Sequence, residues 1–179
     1  MTEPEVSIIG PPAPPRNSVR PVSTKPYGLL VRLSHRVHTA GSAADVWSLL
    51  GEPRRWPRFD VVLARVVGAS GTVVQGQRLV GITRGLPLRI PIDVVRVVPH
   101  KAVQLRINAA PGMREEIEYL LVPLPRGGTQ VRLTVDLDGP MARAATLAAC
   151  GTSAMSARLL ARRAARARRA RLRADSSVA

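Results

Sequence analysis

All sixteen prolines of this chain lie at or before position 140, and the stretch that follows is dominated by Ala, Leu, Met and Arg. Proline lacks the amide that a helix interior requires, so its disappearance permits one helix much longer than is usual. Gly139-Pro140 supplies a start, Asp138 a cap, and helical composition persists to Leu172. A helix of that length needs an apolar surface to lie on, and the sequence before it must provide one.

That preceding segment has a period of two. Val31, Leu33, His35 and Val37 fall on one side, and Arg32, Ser34, Arg36 and His38 on the other, as in a half-buried strand. Ser42 and Asp45 form a capping box, and Val46, Leu49 and Leu50 supply the buried stripe of a short helix ending near Gly51. Glu52-Pro53 stops that helix, and Arg54-Arg55-Trp56-Pro57 fits a second helical turn that presses a tryptophan against the sheet edge. Six more strands are predicted at about 60–68, 76–84, 87–98, 101–108, 113–122 and 128–137. Glycine or proline signals separate them, among them Pro111-Gly112 and Gly127-Gly128. Short connections make neighbouring strands antiparallel. Val103, Leu105, Ile107, Ile117, Tyr119, Leu121, Val131, Leu133, Val135 and Leu137 share one face, while Arg106, Glu116, Glu118, Arg132 and Asp136 mark the other.

A sheet with one greasy and one charged face needs a single cover layer. The predicted class is therefore α+β, a curved seven-stranded antiparallel sheet wrapped around a long C-terminal helix, with two short helices after strand one. Met141, Ala144, Ala148, Met155 and Leu159 approximate the inner stripe of that helix. From Arg158 the stripe dissolves into arginine, and the helix is expected to leave the sheet or fray.

The length suits one domain with tails. Residues 1–30 read as a disordered leader, since seven of the first 26 are proline; they serve as a spacer or an SH3-type ligand. Residues 31–157 form the domain, and 158–179 a basic tail continuing the helix. The net charge of +15 divides into +1, +7 and +7 across these segments. Eight arginines between Arg158 and Arg173 would attract nucleic acid or anionic lipid; alternatively they are a solvated extension in an arginine- and alanine-rich composition. Only Leu159, Leu160 and Leu172 offer grease there, so any lipid contact is expected to be electrostatic. No aromatic residue interleaves the arginines to stack bases, so nucleic-acid contact would be non-specific. A lone cysteine, Cys150, together with the lack of an apolar leader or an 18-residue apolar run, predicts a cytoplasmic protein without a transmembrane segment.

Chemical motifs are few. There is no Walker sequence, dinucleotide fingerprint or Gly-x-Ser-x-Gly elbow, and histidines 35, 38 and 100 form no metal ligand set, so no cofactor or metal is expected. By parity His35, Glu115 and Tyr119 point to the apolar face, where desolvation can tune an acid or base; Asp93 sits beside inward-facing neighbours. Each also has a structural reading: a hydrogen-bonded core histidine, a carboxylate at a strand's exposed start, and a tyrosine anchoring its hydroxyl at a rim.

The order of elements is that of the helix-grip fold. Val46-Trp47-Ser48-Leu49-Leu50, Pro53, Trp56-Pro57 and Phe59, Gly76-Gln77, Tyr119 to Pro123, Gly127-Gly128-Thr129 and Gly139-Pro140 together resemble the START/Bet v 1-like superfamily. The similarity is to its polyketide cyclase/dehydrase-like branch, over about residues 31–160; Phe59 stands where that branch more often has tryptophan. The resemblance implies a cavity between sheet and helix for an apolar small molecule such as a lipid, polyketide or quinone-like compound. Its expected lining is Val37, Trp56, Ile90, Ile92, Leu105, Ile107, Ile117, Leu133, Val135, Met141, Ala148 and Met155. Members of the superfamily include carriers and cyclases, so both a binding protein and a polyketide cyclase or dehydratase using His35, Tyr119 and Glu115 are carried forward. The small residues Ala144, Ala145, Ala148, Ala149 and Gly151 either leave room for a ligand or let the helix approach the sheet.

Overall fold

A computed structural model describes residues 30–110 and 112–177. The leader, apart from Leu30, lies outside the described residues. Strand β1 (Val31–Thr39) alternates between half-buried and exposed positions along its length, as its sequence period requires. Helix α1 (Ala43–Leu50) follows, and both arms of the capping box are formed: Asp45 N donates to Ser42 Oγ at 3.2 Å, and Ser42 N donates to Asp45 Oδ2 at 2.8 Å. Replacing Ser42 with Ala removes one acceptor from the helix start. We expect a loss of about 1 kcal/mol in urea unfolding, with the slope unchanged.

A 3-10 helix, Pro53–Arg58, buries Trp56, whose Nε1 donates to Leu50 O at 2.8 Å. Strands β2 (Leu63–Val67), β3 (Arg78–Thr83), β4 (Arg89–Val98), β5 (Ala102–Ala110), β6 (Met113–Pro123) and β7 (Thr129–Asp138) complete one antiparallel sheet. Its order is β1-β7-β6-β5-β4-β3-β2, so the last strand pairs with the first. Register fixes the inward rows: His35, Leu133, Tyr119 and Val103 lie side by side, then Leu33, Val135, Ile117 and Leu105, then Val31, Leu137, Glu115, Ile107 and Ile92. The core is aliphatic, with Phe59 packed edge-on to Tyr119 at 6.4 Å between ring centres. Asp93 faces outward, 3.9 Å from Arg78.

Helix α2 (Ala142–Ser176) lies across the apolar face. It starts later than its sequence suggests. Asp138 ends β7 and Met141 occupies the cap position with no side-chain cap, while Gly139 takes a left-handed φ of 128° and passes so close to Gly112 O that no Cβ fits.

Two expectations for this helix are corrected. Its inner face is Ala149, Ser153, Ser156, Ala157, Leu160, Ala161 and Ala164, more than a third of a turn away from the Met141, Ala144, Ala148, Met155 stripe. Met141, Ala148 and Met155 are exposed, because Leu160 sets the phase and small side chains let the backbone approach the sheet. Nor does the helix leave the domain at Arg158. Leu160 and Ala164 are fully buried, Thr39 Oγ1 donates to Ala161 O at 2.7 Å, and Gly41 abuts the Ala164 backbone. Further along, Arg168 donates to Ala40 O, and Arg171 Nη1 reaches Asp45 Oδ1 at 2.8 Å.

Candidate functional site

Between the inward rows and the middle of α2 the side chains leave a cavity of about 180 Å³. Ile90, Ile92, Ile107, Ile117, Leu133 and Val135 form its apolar walls, and Ala149 on α2 is too small to fill the space opposite. A second void of about 20 Å³ lies beside it between Trp56, Phe59 and Leu105. Of the residues expected to line it from sequence, Ile90, Ile92, Ile107, Ile117, Leu133 and Val135 lie at its wall, while Trp56 and Leu105 line the smaller void. Val37 instead packs against the core, and Met141, Ala148 and Met155 face away.

The polar groups are concentrated. Glu115 and Tyr119 from β6 project into the cavity, and Asp60 enters from the turn before β2. Thr152, Ser153 and Ser156 line it from α2. Sequence parity singled out the first two and missed the others. Asp60 belongs to no strand or helix; the signal that marks it is an Asx turn, for its Oδ1 accepts Val62 N at 2.8 Å and Leu63 N at 3.0 Å. The hydroxyls stand out as the polar positions, three and four residues apart, on a helix face otherwise built of Ala and Leu.

Two of those hydroxyls spend their hydrogens locally. Thr152 donates to Ala148 O at 2.9 Å and Ser153 to Ala149 O at 2.5 Å, so each turns a lone pair rather than a hydrogen to other partners. Ser156 Oγ accepts Val61 N at 3.3 Å, tying α2 to the turn that carries Asp60. His35 lies behind this layer, its Nε2 2.8 Å from Ser153 Oγ. With Ser153 donating to the helix, the Nε2–H tautomer of His35 is the one that completes this contact. The histidine thus positions Ser153 and is not part of the cavity wall.

Burial dominates the electrostatics. Desolvation pushes the Glu115 carboxyl up to about 7, with the nearby Asp60 charge adding to the effect. Desolvation also raises Asp60, opposed by its two backbone donors and by Arg84. The Tyr119 phenol is raised by burial and by both carboxyls, so it stays protonated. Below about pH 7 the cavity therefore presents two O–H donors, Tyr119 and protonated Glu115, two rows apart on one apolar face with Ile117 between them. Such a site can hold an apolar ring through contact and a ligand carbonyl or hydroxyl oxygen through hydrogen bonds. Among the described residues no cluster of His, Cys, Asp and Glu is placed to hold a metal, and no helix is long and apolar enough to cross a membrane.

A single sheet gripping one long helix around a polar-tipped apolar cavity defines a helix-grip domain. More specifically, the chain belongs to the family described as polyketide cyclase/dehydrase and lipid transport, which matches residues 31–172. No curated protein matches it. Solved structures share the fold at low identity. A Mesorhizobium loti protein has 17% identity and a TM-score of 0.61, covering 76% of this chain and 98% of its own. The di-domain ARO/CYC protein StfQ of the steffimycin biosynthetic pathway has 17% identity and a TM-score of 0.64, covering 76% of this chain and 51% of its own. A Thalictrum norcoclaurine synthase mutant bound to a transition-state analogue has 14% identity and a TM-score of 0.53, covering 76% and 98%.

Proposed function

We propose that this protein binds a small apolar molecule of about one or two rings that carries a carbonyl or phenolic oxygen. The observation that supports this is the presence of Tyr119 and Glu115 as hydrogen donors in a cavity whose sheet walls are otherwise aliphatic. Size restricts the ligand. An apolar cavity of about 150 Å³ takes a benzene ring, so 180 Å³ suits a ring system and is too small for a whole acyl chain. Isothermal titration with 2-naphthol should give saturable binding that weakens as pH rises through about 7, because ionised Glu115 stops donating. Ala149→Phe should abolish it by filling the cavity, and Tyr119→Phe should weaken it about tenfold. Unchanged affinity in Ala149→Phe would mean that the ligand binds outside this cavity.

Asp60 favours a second reading, a cyclase or dehydratase acting on a poly-β-ketone of which the cavity would hold one ring-sized segment. Its carboxylate shares the cavity with the two donors. Asp60 would take an α-proton from a bound ketone while Tyr119 or protonated Glu115 donates to the enolate oxygen; the enolate carbon attacks a second carbonyl, and Asp60 returns its proton to the alkoxide that forms. His35 acts here through Ser153. Solvent deuterium exchange at the α-carbon of a bound cyclic ketone, monitored by NMR, tests this: exchange should be catalysed by the native chain and lost in Asp60→Asn.

A further inference from the structure

The outer side of α2 carries a pattern that the cavity does not use. At 3.6 residues per turn, Ala144, Leu147, Ala148, Gly151 and Met155 fall on one side, and Arg158, Arg162, Arg166, Arg169 and Arg173 continue the same line. All ten positions are exposed. Leu147 is 86% exposed, Met155 47%, and Gly151 opens on empty space. The apolar part runs for about 16 Å and the arginine part for about 22 Å. Asp175 is the only acidic residue of α2, so the arginine line is unopposed along the helix. Arg168 and Arg171, by contrast, are engaged on the inner side.

The two halves discriminate between occupants. A second copy of the chain, packed antiparallel, would cover the apolar half but leave the arginine line of each copy without a counter-charge. A nucleic acid would engage the arginines and leave Leu147 and Met155 in water. An anionic bilayer satisfies both, since its phosphates lie at the level of a guanidinium and its acyl boundary lies just beneath. We propose that this face of α2 docks on an anionic lipid surface, with Leu147 and Met155 entering the interface and the arginine line engaging the phosphates. The electrostatic-only contact expected from the tail's own sequence is thereby extended, because the apolar part comes from the preceding turns of the same helix. Ala149 and Ser153, on the opposite side of those turns, wall the cavity, so docking would bring the binding site to the membrane.

Co-sedimentation of the full chain with phosphatidylcholine vesicles, with and without phosphatidylglycerol, tests the proposal. Binding should require phosphatidylglycerol. Arg162→Gln/Arg166→Gln/Arg169→Gln should lower the partition coefficient about a hundredfold, and Leu147→Glu about tenfold or more. A Leu147→Trp variant reports insertion directly through a blue shift of its emission on these vesicles. Absence of binding to the anionic vesicles overturns the proposal. So does binding that Leu147→Glu leaves unchanged, with no Trp shift and full competition by duplex DNA, which would mark the arginines as a polyanion site.

Discussion

A chain ending at Ala157 should fail to fold, although everything it loses reads in sequence as a charged tail. Removing the tail lowers a net charge of +15 and its self-repulsion, so a purely electrostatic view predicts stabilisation. Packing decides otherwise. The deletion strips Leu160, Ala161 and Ala164 from the core, leaves Thr39 Oγ1 without its acceptor, and takes Arg171 from the buried carboxylate of Asp45. Leu160 alone, truncated to Ala, is expected to cost about 2–5 kcal/mol, a large part of what a domain of this size has to lose. Circular dichroism melting should show no cooperative transition for the 157-residue form. A chain ending at Arg173 keeps every one of these contacts and should melt close to the native temperature. If the shorter form melts cooperatively near the full chain, the helix does not close the core in the way described.

The second large effect comes from one carboxyl. Glu115 titrates near 7 when folded against an ordinary 4.5. Between those values the folded protein binds more protons than the unfolded chain, so its stability falls as pH rises through that window. The contribution is complete below 4.5 and gone above 7. Glu115→Gln keeps the shape and a hydrogen donor but has no charge to desolvate. At pH 8 the variant should be more stable by about 2–3 kcal/mol, and at pH 4 it should match the native chain. Urea unfolding at a series of pH values measures the difference, and a constant difference between the two proteins across the series would refute the assignment.

The two cases also show what kinds of information a sequence carries. Strand parity needs only the period of two, so Ile117, Leu133, Val135 and the inward Glu115 and Tyr119 can be assigned from residue order alone. The sheet's turns are equally local, being written in glycine and proline. The facing of α2 is not local. Its larger apolar residues, Met141, Leu147 and Met155, point out, while Leu160 is buried between arginines that look solvated, so hydrophobic periodicity selects the wrong side. Asp60 escapes detection for a related reason. It lies in a turn with no period, and only the tertiary arrangement turns it toward Glu115.

The pairing of β1 with β7 places Val31 opposite Leu137, and α2, which covers both strands, is made after all seven of them. On a ribosome the emerging chain therefore carries its first strand with no partner until most of the sheet has been synthesised. The greasy face stays open until the arginine-rich turns around Leu160 have left the exit tunnel. Folding of this domain consequently waits until α2 has emerged, and a product stalled or released before that point would expose an uncovered sheet open to aggregation.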